Sequence, residues 1–267
     1  MVGSTRISRL SARGAKGATV AAFLALALAW TGEARAVALF DGESHTTLTI
    51  TGFFDEIGGA IAKPTGLSLV GSSAIVDDFT DSFGDAGAST SAFFTVIPPP
   101  PADMDVGDSV SQDITADGFA ATGDSFAGAV INTDGYIDIH NGTAGLLEIA
   151  FELTYDYDLL ATADSPEKEF SFIDMFIDVL LVNDLEDEGD DTFIFSTDDF
   201  AESDFFTTAS DSDSFSFSLF FAPGEGNRLA VFNDLEGYAE HIPEPAALAL
   251  FGAGLAGFGW LRRRRAV

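Results

Sequence analysis

Residues 147–157 read LEIAFELTYDY. Leu147, Ile149, Phe151, Leu153, Tyr155 and Tyr157 take alternate places, and Glu148, Glu152, Thr154 and Asp156, with Ala150 among them, take the others. Successive side chains of a strand point to opposite faces, so this stretch predicts a strand with one face in a core and one in water. The same period returns in SFSFSLFF, where Phe215, Phe217, Leu219 and Phe221 oppose Ser214, Ser216 and Ser218. In TTLTITGFF (Thr46–Phe54), Leu48, Ile50 and Phe54 alternate with Thr47, Thr49 and Thr51. TFIFS (Thr192–Ser196) and RLAVFND (Arg228–Asp234) are weaker examples. Clusters of Gly, Asp, Asn and Ser between these runs read as turns.

One run reads two ways. FSFIDMFIDVLLV (Phe170–Val182) suits a strand buried on both faces, yet Ile173, Phe176, Ile177, Leu180 and Leu181 also stand at helical spacing. The neighbouring runs are strands and Pro166 suits a turn just before it, which favours the strand. About ten short strands with one apolar face each need a second sheet to cover them. The expected fold is mainly β: an antiparallel β-sandwich, jelly-roll or Ig-like, over residues 37–241. Pro98–Pro101 has polyproline character and reads as a long loop inside that sandwich rather than a linker.

The chain has 267 residues and a formal charge of −31, but the basic residues are unevenly placed. Between residues 37 and 245 only Lys63, Lys168 and Arg228 oppose 42 acids. Such a field repels nucleic acid and anionic headgroups and attracts cations, so nucleic acid is excluded as a partner. There is no cysteine, hence no disulfide framework and no thiolate chemistry. The 26 phenylalanines oppose disorder and supply a core.

The two ends have a different character. Residues 1–36 place Arg6, Arg9, Arg13 and Lys16 before a 13-residue apolar run (Ala18–Trp30), with Ala34 and Ala36 as the small residues of a signal-peptidase site. No Arg-Arg pair precedes the run, which argues against the twin-arginine route. Residues 246–261 form a 16-residue apolar run. As a helix it measures about 24 Å, short of the hydrocarbon core of about 30 Å but close to it. Trp260 suits the interface, and Arg262, Arg263, Arg264 and Arg265 follow as a stop-transfer cluster held in the cytoplasm. The two signals agree on one topology, with residues 37–242 on the far side of the membrane.

Pro243-Glu244-Pro245, then an apolar segment rich in Gly, Ala and Leu, then an Arg cluster, resembles the PEP-CTERM sorting signal. The resemblance covers about residues 242–265, within a C-terminal segment 242–267. It implies a Gram-negative host that makes exopolysaccharide, and exosortase and signal peptidase as processing partners. It also implies transient anchoring in the inner membrane, then a cell-surface or extracellular destination. Two prolines cannot continue a helix and hold the chain extended, a form that a protease can grip.

Catalytic motifs are weak. GDSF (Gly123–Phe126) is similar to the nucleophile block of GDSL-type lipases, but none of His45, His140 and His241 has an Asp three residues earlier, and the block lies mid-chain. A carboxylate pair of the glycosidase kind cannot be singled out where acids are everywhere. Calcium has a better case. DITADGFAATGD puts Asp113, Asp117, Gly118 and Asp124 at places 1, 5, 6 and 12 of an EF-hand-like loop, with no flanking helical pattern. DLEDEGDD (Asp184–Asp191) is acidic in a similar order, and loose calcium binding is the one cofactor expectation. Asn141-Gly142-Thr143 matches a glycosylation sequon, whose eukaryotic meaning lapses in a bacterium.

The leading expectation is a non-enzymatic exported surface or matrix protein, associated with exopolysaccharide or biofilm. The alternative is a carbohydrate-binding module using Tyr136, Tyr155, Tyr157 and Tyr238 as an exposed row, and a secreted hydrolase comes third.

Overall fold

The structure, a computed structural model, describes residues 37–165, 169–183, 191–203 and 206–241. Along them lie β1 (Ala38–Phe54), β2 (Ala60–Ile61), β3 (Leu67–Phe83), β4 (Ala86–Ile97), β5 (Ser109–Ala120) and β6 (Ser125–Asn141). β7 (Leu147–Ala163), β8 (Glu169–Asn183), β9 (Thr192–Glu202), β10 (Phe206–Phe221) and β11 (Gly226–His241) follow. Among the described residues there is no helix. The first sheet runs β10-β7-β1-β5-β4, with β2 paired to β1, and the second runs β3-β6-β11-β8-β9. Every pairing is antiparallel.

The first and last described strands are the central strands of the two sheets. β1 lies between β7 and β5, and β11 between β6 and β8. Their alternation explains the placement: Phe40, Leu48 and Ile50 of β1, and Leu229, Val231 and Leu235 of β11, are all buried in one shared core. LEIAFELTYDY forms the first part of β7, with Leu147, Ile149, Phe151, Leu153, Tyr155 and Tyr157 all turned inward.

Phe170–Val182 is strand, not helix, within β8. Ile173, Met175, Ile177 and Val179 face the core, but the outward Phe176 is 45% exposed, so the expected burial on both faces is met on one only. The strands are also longer than expected. β1, β3, β6 and β7 each have 17 residues, because segments that read as turns continue as strand. DDFTDSF at the end of β3 and SDSDS within β10 stay extended, and nearly all their residues are exposed. Both belong to edge strands, where charge discourages pairing with another chain. Pro98–Pro101 lies between β4 and β5, which pair with each other.

The interior is not wholly apolar. Ser44 donates to Asn233 Oδ1 at 2.9 Å, joining β1 to β11 across the core. Thr133 donates to Gln112 Oε1, and Gln112 Nε2 donates to the Val231 carbonyl at 2.8 Å. This buried seam fixes how the two sheets sit on each other, since each bond spans them.

Candidate functional site

Cα partners in a ladder point to the same side, so the register maps each outer face. On the second sheet, Asp234 of β11 stands between Asn132 of β6 and Phe176 of β8. Two residues back along β11, Phe232 stands between Asp134 and Asp178. Two residues on, Glu236 faces Asp174. Asn132, Phe176, Asp178, Leu180, Phe232 and Asp234 line a cavity of about 360 Å³.

The acids of this face are poorly compensated. Asn132 Nδ2 reaches Asp234 Oδ2 at 3.3 Å, but Oδ1 of Asn132, Asp134, Asp174 and Asp234 is buried and accepts no hydrogen bond. Burial, then the charge of Glu236 and that of Asp234, pushes the Asp174 carboxyl up to about 6. Burial, then Glu236, with a lesser push from Asp77, takes Asp234 up to about 6 as well, against the pull of Asn132. Asp134 is raised by burial, opposed by Arg228.

These shifts set a sign. A carboxyl whose folded pKa lies above its unfolded value favours the fold while protonated, and that contribution is lost as pH rises through the folded value. The domain should therefore melt higher at about pH 5 than at about pH 7.5. Asp234→Asn should raise the melting temperature at the higher pH and narrow the difference. A melting temperature level across that range in both proteins would refute the reading.

The outer face of the first sheet carries hydroxyls and carboxylates, with exposed Phe93, Phe119, Phe206 and Phe220 among them. Ser214, Thr154, Thr47, Ser111 and Thr95 form one row across all five long strands. In the adjacent row His45 Nδ1 pairs with Asp113. Asp41 is pushed up by burial and by Asp117 and Glu43.

The structure places the calcium candidates apart from one another. Asp113 and Asp117 lie on β5 with extended backbone between them, and four residues of strand span about 13 Å. Asp124 sits in the turn before β6, so the three do not close one loop. Gly118 is not a turn residue: the Phe40 ring lies where its side chain would be. Asp184–Asp190 lie outside the described residues. Among the described residues no group of three or more acidic or histidine side chains is arranged to hold a metal ion.

The other motifs also find structural work. Ser125 of the GDSF block is 1% exposed and its Oγ has no hydrogen-bond partner. Its ladder partner is His241, whose other partner is Glu169. His241 Nε2 lies 3.7 Å from Glu169 Oε1, and Nδ1 is 2.6 Å from the Gly123 carbonyl oxygen, so the imidazole fastens the end of β11 rather than activating the serine. Asn141 of the sequon is fully buried and donates through Nδ2 to the carbonyls of Phe221 at 2.8 Å and Gly145 at 3.0 Å. The tyrosines form no exposed row. Tyr155 and Tyr157 are buried, Arg228 lies 3.8 Å over the Tyr136 ring, and Tyr238 stacks on Phe172.

Ala34, Ala36, Pro243, Glu244, Pro245 and Arg262–Arg265 lie outside the described residues, as does the apolar run 246–261. No helix of the described residues is long and apolar enough to cross a membrane. The family model of the PEP-CTERM protein-sorting motif matches residues 241–265. The first matched residue, His241, is the last of β11. Comparison with curated proteins and with solved structures gives no match. The chain thus carries a PEP-CTERM sorting signal directly after its last described strand. That signal implies export, transient anchoring at the membrane and processing by exosortase.

Proposed function

We propose that this is a non-enzymatic surface or matrix protein whose β-sandwich is delivered across the inner membrane and released near Pro243-Glu244-Pro245. The observation that carries the reading is the join at His241, where the last described strand ends and the sorting signal starts. A cut just beyond it leaves every described strand whole. The two outer faces support association with exopolysaccharide: one offers rows of hydroxyls and acids with exposed Phe93, Phe206 and Phe220, the other acids with exposed Phe79, Phe176 and Phe200. Such a face can meet a hydrated polymer by hydrogen bonds, ring contacts and bridging cations. Signal peptidase acting after Ala36 fits the reading, since β1 opens at Ala38.

The test is processing in an exopolysaccharide-producing host. Replacing Pro243-Glu244-Pro245 by alanines should leave a longer precursor in the membrane fraction, whereas the native chain reaches the surface or medium. Arg262–Arg265→Ser should weaken membrane retention and alter processing, because positive charge holds that end in the cytoplasm. Unchanged size and fractionation in both variants would refute the sorting reading.

A further inference from the structure

We propose that the cavity on the outer face of the second sheet binds a primary ammonium group carried on a compact organic body. The inference rests on the cavity and not on the sorting signal. Its floor is a checkerboard: Asp234 beside Phe176 on one row, Phe232 beside Asp178 on the next. Each acid therefore has a ring next to it and the other acid on the diagonal. A cation placed among them meets two carboxylates and lies within reach of two ring faces, which attract positive charge over about 6 Å.

Three further observations point to a cation of this kind. First, the lining contains no base, and the two described amines and guanidines of the domain are engaged elsewhere. Lys63 pairs with Asp103 at 2.5 Å, and Arg228 pairs with Asp138 at 2.8 Å while lying over Tyr136. Second, Asp234 Oδ1 and Asn132 Oδ1 are buried acceptors on the cavity wall with no donor, while an ammonium brings three. Third, Phe176, Phe232 and Leu180 make half the lining apolar, and Phe176 remains 45% exposed. A bare metal ion would leave that apolar wall uncovered, whereas the carbon body of an amine covers it. The volume of about 360 Å³ falls in the lower part of the range for small-molecule sites, about 300–1,000 Å³. Asp234 in the lining, pushed up to about 6, would be favoured in its charged form by an added positive charge.

The test is calorimetric titration of the full chain in detergent, at physiological ionic strength. The probes are a glucosamine trimer, its N-acetylated counterpart, trilysine and calcium chloride. The glucosamine trimer should bind saturably and at least about tenfold more tightly than the N-acetylated trimer, which keeps the rings and loses the charge. Asp234→Asn and Phe232→Ala should each weaken it about tenfold or more. Phe232→Leu, which keeps an apolar side chain without the ring face, should also weaken it and serves if the alanine variant fails to fold. Glu152→Gln removes one charge from the first sheet and should change nothing. Trilysine binding as tightly, with the same sensitivity to Asp234→Asn and Phe232→Leu, supports the ammonium site and assigns its source to a peptide. Equal affinity for the N-acetylated trimer, or an equal loss from Glu152→Gln, overturns the proposal. So does calcium binding that depends on Asp234 and not on Phe232, and so does the absence of saturable binding of either amine.

Discussion

Residues 37–241 should fold as one cooperative unit, and residues 37–223 should not fold at all. The difference is β11 with the two turn residues before it, Gly224 and Glu225, and β11 is the middle strand of its sheet. Its removal exposes the facing edges of β6 and β8 along their whole ladders. It also takes Leu229, Val231 and Leu235 out of the core. Three such side chains, at about 1.5–3 kcal/mol each, already approach the 5–15 kcal/mol by which a typical domain is stable. Far-UV circular dichroism and thermal melting of the two fragments would decide it. A strand spectrum and a cooperative melt from residues 37–223 would show that β11 is dispensable. The same geometry constrains processing. A cut beyond His241 leaves all the described strands in place, and a cut within β11 destroys the second sheet. The second sheet cannot close until its last strand has been delivered, so folding is completed only as the sorting signal arrives at the membrane.

The sequence carried the core of this architecture and hid its surface. LEIAFELTYDY was legible because one face is core and the other solvated, so hydrophobicity and geometry share a period of two. β8 was ambiguous because Phe170, Phe172 and Phe176 are apolar on the outward face, which blurs that period into a helical one. The acidic strands misled in the opposite sense. Asp and Ser in β3, β5 and β10 read as turns because those residues are common in turns. Here they stand on solvated faces of long strands, and the apparent calcium loop at Asp113–Asp124 was such a strand and the turn beyond it. The cavity at Asp234 left no signal in order of sequence. Its lining comes from β6, β8 and β11, and only the register brings Asn132, Phe176 and Phe232 together. The buried seam of Ser44, Gln112, Thr133 and Asn233 was hidden for the same reason. Each of these side chains is polar, and nothing local marks it as inward.

Glycines in the strands conceal the last and largest packing effect. Gly237 in LEGYAEH resembles a turn, but it lies well inside β11. A Cβ placed there would stand 2.2 Å from Cδ2 of Phe40, and one on Gly118 would stand 2.4 Å from its Cζ. The fully buried Phe40 ring therefore crosses from β1 to β11 and occupies two positions where side chains are missing. Phe40→Ala should cost about 3–5 kcal/mol, a fall of roughly 6–20 °C in melting temperature for a domain of this size. Gly237→Ala should cost about 1–3 kcal/mol by overpacking, because the added methyl meets a ring that has nowhere to move. The two should not add. Once the ring is gone, the methyl enters the space it vacated, so the double variant should be no less stable than Phe40→Ala alone. That is a coupling of about 1–3 kcal/mol, measurable in a double-mutant cycle by thermal melting. Strict additivity, or a Gly237→Ala variant as stable as the native chain, would mean that the ring and the glycine do not depend on each other.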